Sequence, residues 1–479
     1  MDQQKTADLK FVMDKIRQYL PRLVDFLDND SKLSDYSKKL YQHQAAPVHL
    51  ERQKPCVRII NDKLSKLFPP EELARFSFNF ENGIVSNVVD HHNILNHPLL
   101  VSGLIISNLH KLLTGNTGAE LVLTCGGVPF SNNFHKRGFT FNKVTFPFVT
   151  GKDTDRILHF FPYKKLEFLP LAEKRKMLDD FTPPEIDFLR EYEKNLTADD
   201  VKAGNFLDQI TLLNRKLFPK MFAPEMRDKI PQIVFFECEY LANELLKDLI
   251  RHGDGFMYKT LFHGPTRDLV IKTFEGIWGA WNKEQNLGSH FFWLADGKGG
   301  EIALELKDGY LVPKKAGFDP IKLDAQTLLS HLDRGTLRPS IFMFYGVLLF
   351  YCGIKPLTGL GSMNYLSDMQ EAWIKVLSQI EPEEADLVSK MDMKGLIVSP
   401  NVLYARDENG KIMEQYFADL VFKGGLTKDY LQHLADMRFN DLLNTSMISN
   451  YEIKVPAEEK RPLSVTIDDL VNESFSWIK

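Results

Sequence analysis

The chain has 479 residues, of which 44% are hydrophobic and 26% charged, ordinary globular values that argue against a disordered or fibrous protein. Its net charge of −5 and the lack of any Lys/Arg block argue against a polyanion-binding surface, so no nucleic-acid partner is expected. Cys56, Cys125, Cys238 and Cys352 lie far apart and form no metal-type pair, which predicts free thiols in a reducing, cytoplasmic setting.

The first twenty residues are charged and amphipathic without an apolar h-region, so neither a secretory signal nor an anchor is expected. Apolar positions at Leu9, Phe11, Val12, Ile16, Leu20, Leu23, Val24 and Leu27 predict helix with a break near Pro21. The segment Asp28 to Lys54 is polar and reads as a linker or edge wrap. A shorter helix follows over Val57 to Leu67, stopped by Pro69-Pro70. These features define a helical N-terminal arm and linker over 1–54 and place the start of an α/β core, 55–167, near Cys56.

Within that core, Arg75 to Phe80 and Ile84 to Val89 read as strands, the second ended by a polar island, Asp90-His91-His92-Asn93-Ile94-Leu95-Asn96-His97. Pro98 then opens a largely buried helix, with His97 or Asn96 at its cap. After the turn Gly115 to Gly118 comes another strand, ELVLTCGG, so the order strand, helix, strand describes a βαβ unit. The loop Gly126 to Gly138 leaves that strand, and FTFNKVTFPFV and RILHFFPY follow as antiparallel strands or a hairpin.

Residues 168–230 read as a helical insert, with a start signal at Thr182-Pro183-Pro184-Glu185. An α+β C-terminal part, 231–479, opens on a long helix predicted over Ile233 to His252 and continues into a hairpin turning at Asp296 to Gly300. The apolar run Ile341 to Ile354 is too short to span a membrane and reads as a buried core helix or strand pair. Helices are expected around 363–380 and 428–443. The whole is an α+β or α/β fold, with a mixed β-sheet core between helical N-terminal and C-terminal regions.

Chemistry concentrates in the island. Carboxylate and imidazole are ligands of Zn, Mn, Fe and Ni, so Asp90, His91, His92 and His97 are candidate catalytic or metal-ligating residues and a divalent transition metal is a possible cofactor. Adjacent histidines point to opposite sides of a strand, so only one of His91 and His92 is expected to join Asp90 and His97. Without a metal, the helix N-terminus favours an anion, and a neutral imidazole there can donate a hydrogen bond or take a proton. The alternative is structural: Asp90, Asn93 and Asn96 cap the helix while the histidines complete a satisfied polar network.

The letters Asp90-His91-His92 resemble the motif of the DHH phosphoesterase superfamily, in which these residues bind manganese and orient a water for phosphoester hydrolysis. The resemblance covers three residues. That family's upstream His-x-x-x-Asp-x-Asp segment has no counterpart before Asp90, because His43 and His49 lack the matching aspartates.

The loop Cys125 to Gly138 is the second candidate. In a partly parallel sheet it and the island leave strand C-termini together, the usual ligand rim of open α/β sheets. Lys136 and Arg137 would attract a negative group, and Asn132 and Asn133 would fix its hydrogen bonds, alongside Asn93 and Asn96 of the island. Cys125 lacks the Gly-x-Ser/Cys-x-Gly setting of a nucleophile and reads as a packed thiol. Glu237, Glu244 and Asp248 form a carboxylate stripe with Glu239 off it, and Glu237, among Phe235, Phe236 and Cys238, is the one expected to be buried. His135, His263 and His290 matter only if the fold brings them to the island, and the glycine-rich Pro356 to Asn364 lacks the dinucleotide and Walker patterns.

The function expected from these features is that of an enzyme, hydrolase- or transferase-like, acting on a small anionic metabolite by His/Asp acid-base or metal-assisted chemistry. The alternative is a non-catalytic ligand-binding or protein-interaction protein. In neither case is a membrane or nucleic-acid partner expected.

Overall fold

A computed structural model describes residues 2–27, 29–407 and 409–471. Five parallel strands form the central sheet: β1 (Val85–Asn87), β2 (Ala119–Thr124), β3 (Gln232–Glu237), β4 (Lys355–Gly359) and β5 (Gly395–Val398), in the order β5-β4-β1-β2-β3. The chain builds outward from β1 in one direction through β2 and β3, then returns to its other side with β4 and β5. The sheet therefore reverses direction between β1 and β4, and a crevice opens at the carboxyl ends of strands beside such a reversal.

Strand alternation divides the interior. In β2 and β3, Val122, Ile233 and Phe235 face one apolar core while Leu121, Leu123, Val234 and Phe236 face the other. The first core holds helix α1 (Pro98–Thr114), helix α2 (Phe206–Leu217) and the N- and C-terminal helices. The second holds Pro47–Leu67, helix α3 (Cys238–His252), much of helix α4 (Leu360–Ile380) and a separate antiparallel sheet. That sheet runs Ile321–Lys322, Tyr310–Pro313, Glu301–Lys307, Phe292–Ala295, Leu337–Pro339, and contains the expected hairpin at Asp296 to Gly300.

The α/β class is that of the expectation, with parallel pairing confined to the central sheet and antiparallel pairing to the smaller ones. Helix α1 begins at Pro98 with His97 as N-cap and ends at Gly115 in the left-handed region, φ 69°. The strands Gly138–Phe141 and Val144–Pro147 form an antiparallel hairpin, as expected for this segment. The apolar run forms the helix Ile341–Tyr345 and a π-helical stretch Gly346–Tyr351, and among the described residues no helix is long and apolar enough to cross a membrane.

Four local expectations differ. Ile233 to His252 is not one helix: β3 ends at Glu237 and α3 starts at Cys238, because a run apolar in both periods conceals its own boundary. Arg75 to Phe80 contributes a single bridge, Phe78 with Ala119, and Arg156 to Tyr163 winds into a 3-10 turn at Leu158–Phe160 instead of a strand. Asp28 lies outside the described residues, but the rest of the supposed linker contains the helix Leu33–Leu40 and the start of the helix Pro47–Leu67, whose apolar faces pack inward. The last residues of the C-terminal part, 472–479, also lie outside the described set.

Gly138 closes the 126–138 loop where it enters the hairpin, and a Cβ there would sit 1.9 Å from the Phe146 carbonyl oxygen. Gly138→Ala is therefore expected to force paired backbone apart and lower stability by about 3 kcal/mol, read by urea denaturation against wild type.

Candidate functional site

The island continues β1 beyond its last ladder residue. Cys125 N–H donates to the Asp90 carbonyl (3.0 Å) and His92 N–H to the Cys125 carbonyl (2.8 Å), so residues 90–92 stay paired with the tip of β2. Alternation then sends the two adjacent imidazoles apart, as their spacing predicts. His92 turns toward α2: Nε2 donates to the Leu207 carbonyl (2.8 Å), leaving Nδ1 to accept from the Thr124 hydroxyl (2.7 Å). Both ring nitrogens are satisfied in the core, which makes His92 a structural pin.

His91 turns the other way and meets His135, Nδ1 to Nε2 3.2 Å, so a single proton is shared across the contact. The 126–138 loop thus folds back onto the island. Phe134 packs edge-on against both His91 and His97, with ring centroids 5.6 and 5.0 Å apart. His97 Nδ1 accepts from Leu99 N–H at the start of α1, which places its ring proton on Nε2. Beyond it stands Tyr416, whose hydroxyl accepts from Lys136 Nζ at 2.6 Å.

Asp90 is 2% exposed, and its carboxyl accepts from Asn87 Nδ2 at 2.8 Å. Burial pushes its pKa up to about 7, against which the Asn87 hydrogen bond is the weaker influence. Burial pushes His91 and His97 the opposite way, to about 4 each, with Lys136 adding to the effect on His97. His135 is lowered still further by burial and by its two imidazole neighbours. At neutral pH the site is thus a carboxyl group near its midpoint among uncharged imidazoles.

Asn93 and Asn96 complete it. Asn93 Oδ1 accepts from Ile94 N–H and Asn96 Oδ1 from Thr140 N–H, which fixes both amide orientations. Their Nδ2 groups are buried without a partner. Both residues line one cavity with Asp90, His91, His97, Phe134 and His135, and its volume, about 10 Å³, is room for one water. Asn214 clamps the turn from α2 by accepting from Leu95 N–H and donating to the Asn93 carbonyl.

The other predicted contacts lie outside that cavity. Asn132 Oδ1 accepts from Phe134 N–H within its own turn, and Asn133 is exposed. Lys136 and Arg137, both in the left-handed region at φ 47° and 68°, swing outward. Arg137 lines a separate hollow of about 270 Å³ with Lys136 and Arg175. The structure therefore joins Asp90, His91, Asn93, Asn96 and His97, adds Phe134 and His135, and separates off His92, Asn132, Asn133 and Arg137.

A charged cluster borders the same rim at the ends of β2 and β3. Glu237 accepts from His159 Nδ1 at 2.5 Å; burial would raise its carboxyl, but His159 and Arg338 outweigh burial and hold it below the usual range. Glu239 accepts from Gly126 N–H (3.1 Å), Gly127 N–H (2.9 Å), the Cys125 thiol (3.0 Å) and Arg338 (3.2 Å), while Arg338 also faces Glu301 at 2.9 Å. Burial, then Glu239, push the Cys125 thiol well above its ordinary value, so it acts here as a hydrogen-bond donor. In the sequence Glu239 stands only off the carboxylate stripe and Arg338 is not singled out, because the strand-to-helix boundary at Glu237 is concealed and Arg338 arrives from another sheet. Glu244 and Asp248 pair with Lys247 and Arg58 on the outer face, His263 meets Thr266, and His290 accepts from Leu306 N–H, all away from the island.

Among the described residues no three His, Cys, Asp or Glu side chains are placed to hold a metal ion. The nearest imidazole nitrogens here bond to each other, His91 Nδ1 with His135 Nε2. No model of a known protein family matches the chain, and no curated protein is significantly similar to it.

The opposed shifts give opposed pH dependences. Asp90 keeps its proton to about pH 7 when folded, whereas an unfolded aspartate loses it near 3.8, so its contribution to stability is present in acid and is lost as pH rises to 7. His97 takes a proton near 6.5 when unfolded but only near 4 when folded, so its contribution is lost as pH falls through that window. Relative to wild type, Asp90→Asn should gain up to about 4 kcal/mol between pH 4 and 8, and His97→Gln should flatten the acid limb. Urea unfolding across that pH range measures both.

Proposed function

We propose that this chain is an enzyme acting on a small anionic metabolite, using Asp90 with His91 and His97 for proton transfer. The observation that carries the reading is the pair of buried, unpartnered amide donors, Asn93 Nδ2 and Asn96 Nδ2, lining one cavity with the Asp90 carboxyl. An unsatisfied buried donor costs about 1–3 kcal/mol, and a carboxylate or phosphoryl oxygen between them removes that cost. Substrate oxygens then rest on Asn93 and Asn96.

Asp90, with a pKa near 7, takes or gives a proton at neutral pH, and neutral His97 presents Nε2–H as a hydrogen-bond donor. The His91–His135 contact orients His91 and holds the loop closed. A cavity of one water does not admit a metabolite, so Phe134 and His135 must swing out for entry, and Lys136 at the outer lip meets the incoming charge. Hydrolysis and group transfer both suit a site that pairs a carboxyl near neutrality with neutral imidazoles. The second reading is a binding protein without turnover, in which the unpartnered amides hold an anion and Asp90 moves no proton.

A thermal-shift panel of inorganic phosphate, sugar phosphates and small dicarboxylates tests the reading. At least one should raise the melting temperature of the wild type by about 3 °C near saturation. Asn96→Asp, which keeps the shape and adds a like charge, should abolish the shift. On a substrate so identified, Asp90→Asn should lower kcat by about 100-fold with a smaller change in KM; unchanged turnover in Asp90→Asn and His97→Gln overturns the roles given to those residues, and a ligand that binds without being turned over favours the second reading.

A further inference from the structure

A cavity of about 660 Å³ opens beside the first turns of α4, away from the island, lined by Arg22, Asp25, Trp278, Gly361, Tyr365 and Lys454 among others. This volume lies in the range of small-molecule sites, and neither the island chemistry nor the Glu239–Arg338 cluster uses it. Trp278 is 66% exposed, one of few large apolar side chains among the described residues left so open. Its ring lies on Tyr365, centroids 4.5 Å apart at 37°. Tyr365 is itself fixed: its hydroxyl meets that of Tyr345 at 3.5 Å, and Tyr345 donates to the Val88 carbonyl at the end of β1. The indole thus packs on a fixed tyrosine while most of the residue stays open to solvent.

Charges stand around this platform in two roles. Arg22 is held by Asp368 (2.8 Å) and Glu371 (2.7 Å), and Lys394 by Asp25 (2.6 Å), which sets two cations and two acceptor carboxylates at the wall. Lys454 lines the same cavity, is exposed, and has no ion pair among the described residues. Counting Glu371, three cations face three carboxylates here, and Lys454 is the one of the three outside an ion pair among the described residues. Gly361 faces the space with nothing within 4 Å of where a Cβ would be.

From these features we infer a second ligand site, for a nucleoside monophosphate. A flat π-face supported by Tyr365 suits a base, which stacks on aromatic rings irrespective of its identity. The unpaired ammonium of Lys454 suits the phosphate, and Asp25 and Asp368 offer acceptors for ribose hydroxyls. The island supplies none of these residues, so the inference stands apart from the function proposed for it.

Isothermal titration of the full-length chain with AMP and GMP tests it, with ribose 5-phosphate and adenosine as controls. Saturable binding of at least one nucleotide is expected, weakened about tenfold or more by Trp278→Ala and by omission of the base, and weakened by Lys454→Ala and by omission of the phosphate. Gly361→Phe, which fills the cavity at a position free of steric conflict, should abolish binding while leaving the melting temperature near that of wild type. Asp90→Asn should bind as wild type does, which separates this site from the island. Absence of saturable binding to about 5 mM, or wild-type affinity in Gly361→Phe, overturns the inference; equal affinity for AMP and adenosine overturns its phosphate half.

Discussion

The pairing of residues 90–92 with Cys125 is the constraint on which the site depends. Two backbone hydrogen bonds carry the β1–β2 ladder past the regular strands, so a segment that would otherwise be a loop retains strand alternation. Alternation at that point dictates that His91 and His92 diverge. His92 becomes a pin between β2 and α2, and His91 is left to meet the returning loop at His135. Because β1 is the strand at which the sheet order reverses, half-buried His91 lies on the side of the crevice that parallel sheets present to ligands.

Burial at this rim is incomplete in one respect. Backbone carbonyls, hydroxyls and Asn214 satisfy most of the polar atoms of the island, whereas the amide donors of two residues that line a cavity the size of one water have no partner. A core built only for stability would pair them or replace them by apolar groups. The same burial that leaves them unpaired brings Asp90 toward neutral pH and keeps the imidazoles uncharged. Desolvation thus leaves a carboxyl near its midpoint beside uncharged imidazoles at a helix cap.

Much of this was legible in the sequence, for local reasons. The β-branched run before Asp90 and the proline after His97 mark a strand handing over to a helix, and the divergence of adjacent histidines is a property of any strand. The return of the 126–138 loop follows from both segments leaving strand C-termini. What was not legible is non-local or hidden by degeneracy. The partners of His92 and Asn93 come from α2, more than a hundred residues on. Lys136 and Arg137 point outward because both adopt left-handed backbone, a choice imposed by the hairpin that follows. The sequence marks Glu239 only as a residue off the carboxylate stripe, because the run from Ile233 onward is apolar at the periods of strand and helix alike, and the break at Glu237 leaves no local mark.

The most direct measurement is the titration of Asp90 itself, by ¹³C-carboxyl NMR on chain labelled at aspartate, with Asp90→Asn to assign the signal. A buried carboxyl poised for proton transfer titrates with a midpoint of about 7. A midpoint of about 4, the ordinary aspartate value, would mean that Asp90 is solvated and ionised at neutral pH, and would contradict the account of the rim as a proton-transfer site.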